Sequence, residues 1–107
     1  MKTKALFVGR FQPLHKGHLH AMRRILQRFD ELVVAIGSIN KADGGNPFSF
    51  GERKQMIRLA LGKKLMKRAR VIGVPDVGKD KKWAKSIAEK MDFDVVVTGN
   101  GWVRRCF

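Results

Sequence analysis

The sequence predicts an α/β fold, a Rossmann-like parallel sheet with helices on both faces. Three observations carry that prediction. Short apolar runs of four or five residues end at glycine-containing turns, as at Ala5-Leu6-Phe7-Val8 and Leu32-Val33-Val34-Ala35-Ile36. Amphipathic segments alternate with those runs. The connections are short, and right-handed crossovers place helices on both faces of the sheet that results. At 107 residues the chain forms one domain, 1–107.

Each element has its own justification. Lys4 to Val8 is short and apolar, as a buried parallel strand is. Gly9 to Gly17 is the loop that follows. From His18 to Phe29 the residues Leu19, Met22, Ile25, Leu26 and Phe29 recur at three- and four-residue steps, one face of a helix. Leu32 to Ile36 is the second strand, ended by Gly37-Ser38. Ile39 to Ser49, with Asn, Asp, Gly and Pro, is a loop. Ser49 caps the next helix with Glu52 as its reciprocal partner, and Met56, Ile57, Leu59, Ala60 and Leu61 supply that helix's apolar side. Arg70 to Val74 is the third strand, stopped by Pro75, and Asp76 to Lys81 is a polar loop. Trp83, Ile87 and Met91 mark a third helix. Asp94 to Thr98 is the fourth strand, ended by Gly99-Asn100-Gly101.

Composition removes several classes. The longest apolar runs fall far short of the ~20 residues a membrane span needs, and no signal-peptide pattern is visible, so the expected location is the cytoplasm. One cysteine, Cys106, allows no internal disulfide. The hydrophobic share of 44% is ordinary and permits a core. Charge is the outlier. The chain has 23 Lys and Arg against 9 Asp and Glu, a net charge of +14, which favours polyanionic partners without choosing among them. The local cluster from Lys63 to Arg70 reads as a solvated helix end and loop, and a nucleic-acid partner is not expected.

The chemistry concentrates in Gly9-Arg10-Phe11-Gln12-Pro13-Leu14-His15-Lys16-Gly17-His18. A strand, a glycine-containing turn and a helix start together hold phosphates, because backbone N–H groups and the positive helix end face the anion. Gly17 lets the backbone turn closely against a ligand. His15 and His18, three residues apart, can aim two imidazoles at phosphate oxygens, with the Arg10 guanidinium beside them. This suits phosphoryl or nucleotidyl transfer, where positioning and charge stabilisation dominate. A metal reading of the histidine pair needs a third ligand. His20 lies on the helix and no carboxylate cluster completes a site, so no protein-held metal is expected.

With these residues in view, Gly9 to Leu19 resembles the signature of the nucleotidyltransferase superfamily with its His-x-Gly-His motif. The preceding Arg-x-Gln-Pro form resembles the archaeal-type nicotinamide-nucleotide adenylyltransferases. Ile36-Gly37-Ser38 resembles that family's second strand end. Asn46-Pro47-Phe48-Ser49-Phe50-Gly51-Glu52-Arg53 resembles its Asn-Pro-Phe-Thr-x-x-Glu-Arg segment. Pro75-Asp76 with Trp83 resembles the loop that meets the nicotinamide ring. Gly99-Asn100 with Val103 to Phe107 resembles its final Gly-Asn segment.

The resemblance implies an adenylyltransferase that joins ATP and nicotinamide mononucleotide to give NAD and pyrophosphate. His15, His18 and Arg10 would serve catalysis by holding the ATP phosphates, with Mg²⁺ bound through those phosphates. Gly9, Phe11, Gln12, Gly17, Gly37, Ser38, Asn46, Phe48, Arg53, Gly99 and Asn100 would line the nucleotide site. Asp76 and Trp83 would orient the mononucleotide, Trp83 by stacking on the charged ring. Each of the last group has a plainer reading: Trp83 as a core residue, Asp76 as a turn residue, Arg53 as a helix-surface charge. Homo-oligomers are common in the family, so one is expected here.

The chain also departs from the pattern. Family chains continue for several tens of residues and carry a Ser-Gly-Thr or Ser-Thr-Thr loop ending in Arg, whereas seven residues follow Asn100 here. The chain therefore reads as a C-terminally shortened form. Asp43-Gly44-Gly45 stands where the family often has a basic residue, with Lys41 nearby. Arg104 and Arg105, just after the last strand, are expected at the ligand edge of the sheet, where they could replace the missing cation. Two alternatives stay open: a non-catalytic nucleotide-binding remnant, and a related pantetheine-phosphate or cytidyl transferase.

Overall fold

A computed structural model of the chain describes residues 2–11, 13–37, 48–73, 93–98 and 101–104. They form β1 (Lys4–Gly9), α1 (Lys16–Arg28), β2 (Glu31–Ile36), α2 (Phe50–Met66), β3 (Ala69–Gly73), β4 (Val95–Thr98) and β5 (Gly101–Arg104). The sheet order is β3-β2-β1-β4-β5. The first four strands are mutually parallel, as expected, and β5 runs antiparallel to β4.

β1, β2 and β4 are buried on both sides, which explains their continuous apolar runs, whereas β3 is only partly buried. Ala5, Phe7, Leu32, Val34, Ile36, Val95 and Val97 face α1 and α2 in the main core. Leu6, Val8, Val33, Ala35 and Val96 form a second apolar cluster on the other face with Phe93. Both described helices therefore lie on one face. Steps from β1 to β2 and from β2 to β3 move across the sheet in the same direction, so right-handed crossovers put both helices on the same side. The third helix expected around Trp83, Ile87 and Met91 lies outside the described residues.

Local boundaries move for local reasons. Helix α1 starts at Lys16, not His18, because His15 caps it. In α2 the buried residues are Arg53, Ile57 and Leu61, at four-residue spacing. Leu59, expected on the apolar side, is instead 73% exposed. Gly62 takes φ 82°, a left-handed conformation that breaks the helix one turn before its end.

The Arg68 guanidinium donates to the carbonyls of Leu26 in the last turn of α1, Phe29 at its C-cap and Asp30 just beyond it. Thr3 and Asp30 exchange hydrogen bonds at the same end of the sheet, where Lys4 N–H also donates to Asp94 at 2.8 Å.

β5 corrects one expectation. Its register pairs Thr98 with Gly101 and Val95 with Arg104. Arg104 therefore sits beside the amino end of β4, at the opposite end of the sheet from the loop after β1. Arg105 lies outside the described residues.

Candidate functional site

The carboxyl ends of β1 and β2 lie side by side, and Gly37 N–H donates to the Gly9 carbonyl at 2.9 Å. Directly after Gly9 the chain turns sharply, with Phe11 at φ 52°. A left-handed conformation at a bulky residue is held only where surrounding contacts over-determine it. Here the Phe11 ring folds back over Gly9, where an added Cβ would meet Phe11 Cζ at 2.9 Å. The ring stacks edge-on against Phe7, with centroids 5.5 Å apart, and against His18 at 4.7 Å. Phe11 is 1% exposed. It is thus a floor beneath His18 and does not line the surface of the site, as its sequence assignment had it.

The histidines form a reciprocal helix cap. His15 is the N-cap of α1, and its Nδ1 accepts the Gly17 N–H at 3.1 Å. His18 Nδ1 accepts the His15 N–H at 3.2 Å. The pattern matches the usual capping box of Ser or Thr with Glu three residues later, built here from two imidazoles. The rings stack with centroids 3.6 Å apart.

This cap determines the tautomers. An Nδ1 that accepts a backbone N–H carries no proton, so each neutral ring holds its proton on Nε2. Two adjacent Nε2–H donors result. Burial, and then the neighbouring His15, pull the His18 pKa from 6.5 down to about 4. His18 is therefore a neutral donor near neutral pH.

The helix start is electropositive in other ways. Most helices favour acidic residues in the first turn, but α1 has none and begins with Lys16. Arg10 is exposed on the turn. Gly17 leaves room for the capping ring, since a Cβ there would meet His15 Cε1 at 3.0 Å and press it outward. A Cβ at Gly37 would touch only the Gly9 carbonyl at 3.8 Å, an ordinary contact.

Arg53 is the main surprise. Read from sequence as a ligand contact or a surface charge, it is 0% exposed. It donates to the carbonyls of Arg10, Gly37 and Ser49, and burial draws its pKa down. The expected Ser49–Glu52 capping box is present. Phe48 is half-buried at the entry to α2.

Gln12, Ser38, Asn46, Asp76, Trp83, Gly99 and Asn100 lie outside the described residues. So the structure brings together Gly9, Arg10, Phe11, His15, Gly17, His18, Gly37 and Arg53. Sequence reasoning missed the imidazole cap, although the three-residue His spacing was its signal. The signal for the burial of Arg53 was its four-residue spacing from Ile57 and Leu61, which its charge obscured.

The described acidic residues stand elsewhere. Asp30, Glu31 and Asp94 gather at the amino ends of the strands, and Glu52 is bonded to the Ser49 N–H. Among the described residues no three His, Cys, Asp or Glu side chains are grouped to hold a metal ion. No described helix is long and apolar enough to cross a membrane. The arrangement can bind an anion through imidazole N–H donors, a helix start and a guanidinium.

Comparison with known proteins agrees. A family model described as cytidylyltransferase-like matches residues 6–105. The nicotinamide-nucleotide adenylyltransferase of Thermoplasma acidophilum is 39% identical over 108 residues, covering 99% of this chain and 60% of its own. That of Pyrobaculum neutrophilum is 44% identical over 110 residues, covering 97% of this chain and 61% of its own. The chain thus spans about 60% of the length of the curated relatives it matches. Among solved structures, a bifunctional NMN adenylyltransferase/ADP ribose pyrophosphatase of Francisella tularensis, complexed with AMP and a manganese ion, superposes with a TM-score of 0.70 at 31% identity. That match covers 92% of this chain and 32% of the other. The parallel sheet, the His-x-Gly-His helix start and a family match over nearly the whole length lead to one conclusion: the chain belongs to the cytidylyltransferase-like family.

Proposed function

We propose that these 107 residues carry the nucleotidyl-transfer site of an adenylyltransferase joining ATP and nicotinamide mononucleotide into NAD and pyrophosphate. The observation that carries the reading is the imidazole cap: two stacked rings, centroids 3.6 Å apart, each with Nδ1 taken by a backbone N–H, at a helix start without acidic residues. The similarity to adenylyltransferases of that name supports the choice of substrates.

In this reading His15 and His18 donate hydrogen bonds to ATP phosphate oxygens, and Arg10 adds positive charge. Phe11 and Arg53 hold that frame from beneath. The phosphate of the mononucleotide attacks the α-phosphorus, a new P–O bond forms, and pyrophosphate leaves with the broken bond's electron pair. A phosphate nucleophile needs no general base, which suits a site whose described groups are donors. Catalysis is then positioning and charge stabilisation. Mg²⁺ takes oxygen ligands, and the described side chains of the site are imidazoles and a guanidinium. The ion therefore arrives with the triphosphate, as part of the substrate. Asp76 and Trp83 receive the mononucleotide, and Gln12, Ser38, Asn46, Gly99 and Asn100 complete the pocket. A single domain over 1–107, a homo-oligomer and a cytoplasmic location belong to the same reading through the family resemblance, and sedimentation tests the assembly.

The test is NAD formation from ATP, nicotinamide mononucleotide and Mg²⁺, against His15→Ala and His18→Ala. Turnover that falls in both variants is expected. Turnover with another phosphate acceptor in a substrate panel, and none with the mononucleotide, would overturn the choice of acceptor. ATP binding without any turnover would restrict these residues to binding.

A further inference from the structure

Three backbone carbonyls from separate segments converge on one buried guanidinium at the carboxyl edge of the sheet. Arg53 Nη1 donates to the Arg10 carbonyl at 2.9 Å and the Gly37 carbonyl at 2.8 Å, and Nε donates to the Ser49 carbonyl at 3.2 Å. These carbonyls belong to the turn after β1, the end of β2 and the N-cap of α2. Two of them lie 43 and 16 residues from Arg53 in sequence.

We propose that Arg53 is a positioning residue of the nucleotide site, holding these three segments in one frame and thereby setting where Arg10, His15 and His18 stand. The inference rests on the functional reading above and deepens it.

The route from Arg53 to the imidazoles is short and contiguous. The Arg10 carbonyl is pinned by the guanidinium. The next residue, Phe11, takes φ 52° and sends its ring beneath His18 at 4.7 Å. His18 Nδ1 in turn holds the His15 N–H at 3.2 Å. A shift of the turn thus reaches both rings through direct contacts.

The guanidinium suits this task because its planar, rigid fork offers several donors at fixed angles, whereas an ammonium is a point charge on a flexible stem. Bonds from a charged donor are also stronger than neutral ones. With 0% of the residue exposed, a nucleotide does not reach Arg53 in this arrangement. Its effect on the reaction is carried by the backbone it holds.

The experiment compares the wild type with Arg53→Lys and Arg53→Ala. Three readouts are taken: the ¹⁵N–¹H imidazole signals of His15 and His18, kcat against KM for ATP, and activity with added guanidinium or ammonium. Arg53→Lys is expected to stay folded by circular dichroism and to shift both imidazole signals. Its kcat is expected to fall about 10²-fold, the cost of an ångström-scale misplacement, with KM for ATP within about threefold. Guanidinium, but not ammonium, should restore activity to Arg53→Ala. If that variant does not fold, Arg53→Lys carries the test.

A wild-type kcat with unmoved imidazole signals in Arg53→Lys would overturn the proposal, as would a raised KM with unchanged kcat, which marks a direct ligand contact. The imidazole signals need no substrate. If the wild type makes no NAD, the functional reading fails, while shifted signals in Arg53→Lys still sustain the frame and unmoved ones overturn it.

Discussion

Gly17→Ala should separate stability from function in this site. An ideal Cβ at position 17 lies 3.0 Å from His15 Cε1 and 3.1 Å from Nδ1. Non-bonded carbon contacts settle at about 3.5–4.0 Å, so the imidazole retreats by a few tenths of an ångström. The Gly17 N–H to His15 Nδ1 bond, already 3.1 Å, then lengthens towards the limit of hydrogen bonding, and at the extreme the cap is lost. Losing an N-cap costs about 0.5–2 kcal/mol. Replacing glycine by alanine within a helix returns about 0.8–1.0 kcal/mol. The two nearly cancel, leaving a net change within about 1 kcal/mol and a melting shift of about 4–8 °C at most. Activity has no such compensation, because a displaced imidazole no longer meets the phosphate oxygens, and kcat/KM should fall about 10²-fold. The assay pairs thermal melting with NAD formation, and with ATP binding by calorimetry. A variant whose kcat/KM stays within about threefold of wild type would refute the reasoning, since the ring position would then not matter to the reaction.

Other predictions follow from the same geometry. The unfolded chain takes up a proton at His18 near pH 6.5, which the native state resists until about pH 4. Stability should therefore fall as pH drops through that window and stay level above it. Melting temperature against pH should slope less for His18→Gln, and equal slopes would count against the buried neutral imidazole. Gly62→Ala should destabilise by about 1 kcal/mol in urea unfolding, because φ 82° strains any side chain although no atom lies within 4 Å of an added Cβ. Arg68→Ala removes the guanidinium from the carbonyls that end α1 and should cost about 1–2 kcal/mol of stability. Its activity, measured well below the melting temperature, should be unchanged, since Arg68 sits at the end of the sheet away from His15 and His18.

Much of this protein is legible in the sequence wherever the governing interaction is local. The apolar runs of β1 and β2, the helical spacing in α1 and the Ser49–Glu52 box all appear where expected, because each depends on residues within a turn or a strand of one another. The His15–His18 pair is equally local, and its spacing alone places both rings at one helix start. The family is legible for the same reason, since its motifs are short and ordered along the chain.

Tertiary structure decided the rest. Leu59 was read as core by its type and position, yet the packing of α2 on the sheet selects Ile57 and Leu61 and leaves it in solvent. Arg104 looked close to the site in sequence, and the antiparallel direction of β5 carries it beside Val95 at the far end. Arg53 reads from sequence as a nucleotide-site residue or a helix-surface charge, because two of its three carbonyl acceptors are not in its own helix. They are the carbonyls of Arg10 and Gly37, brought to it only when two strands and a helix meet. Spacing along a chain encodes which side chains share a turn or a face. Which faces then meet, and which backbone atoms a buried charge finds there, is settled only by the assembled sheet.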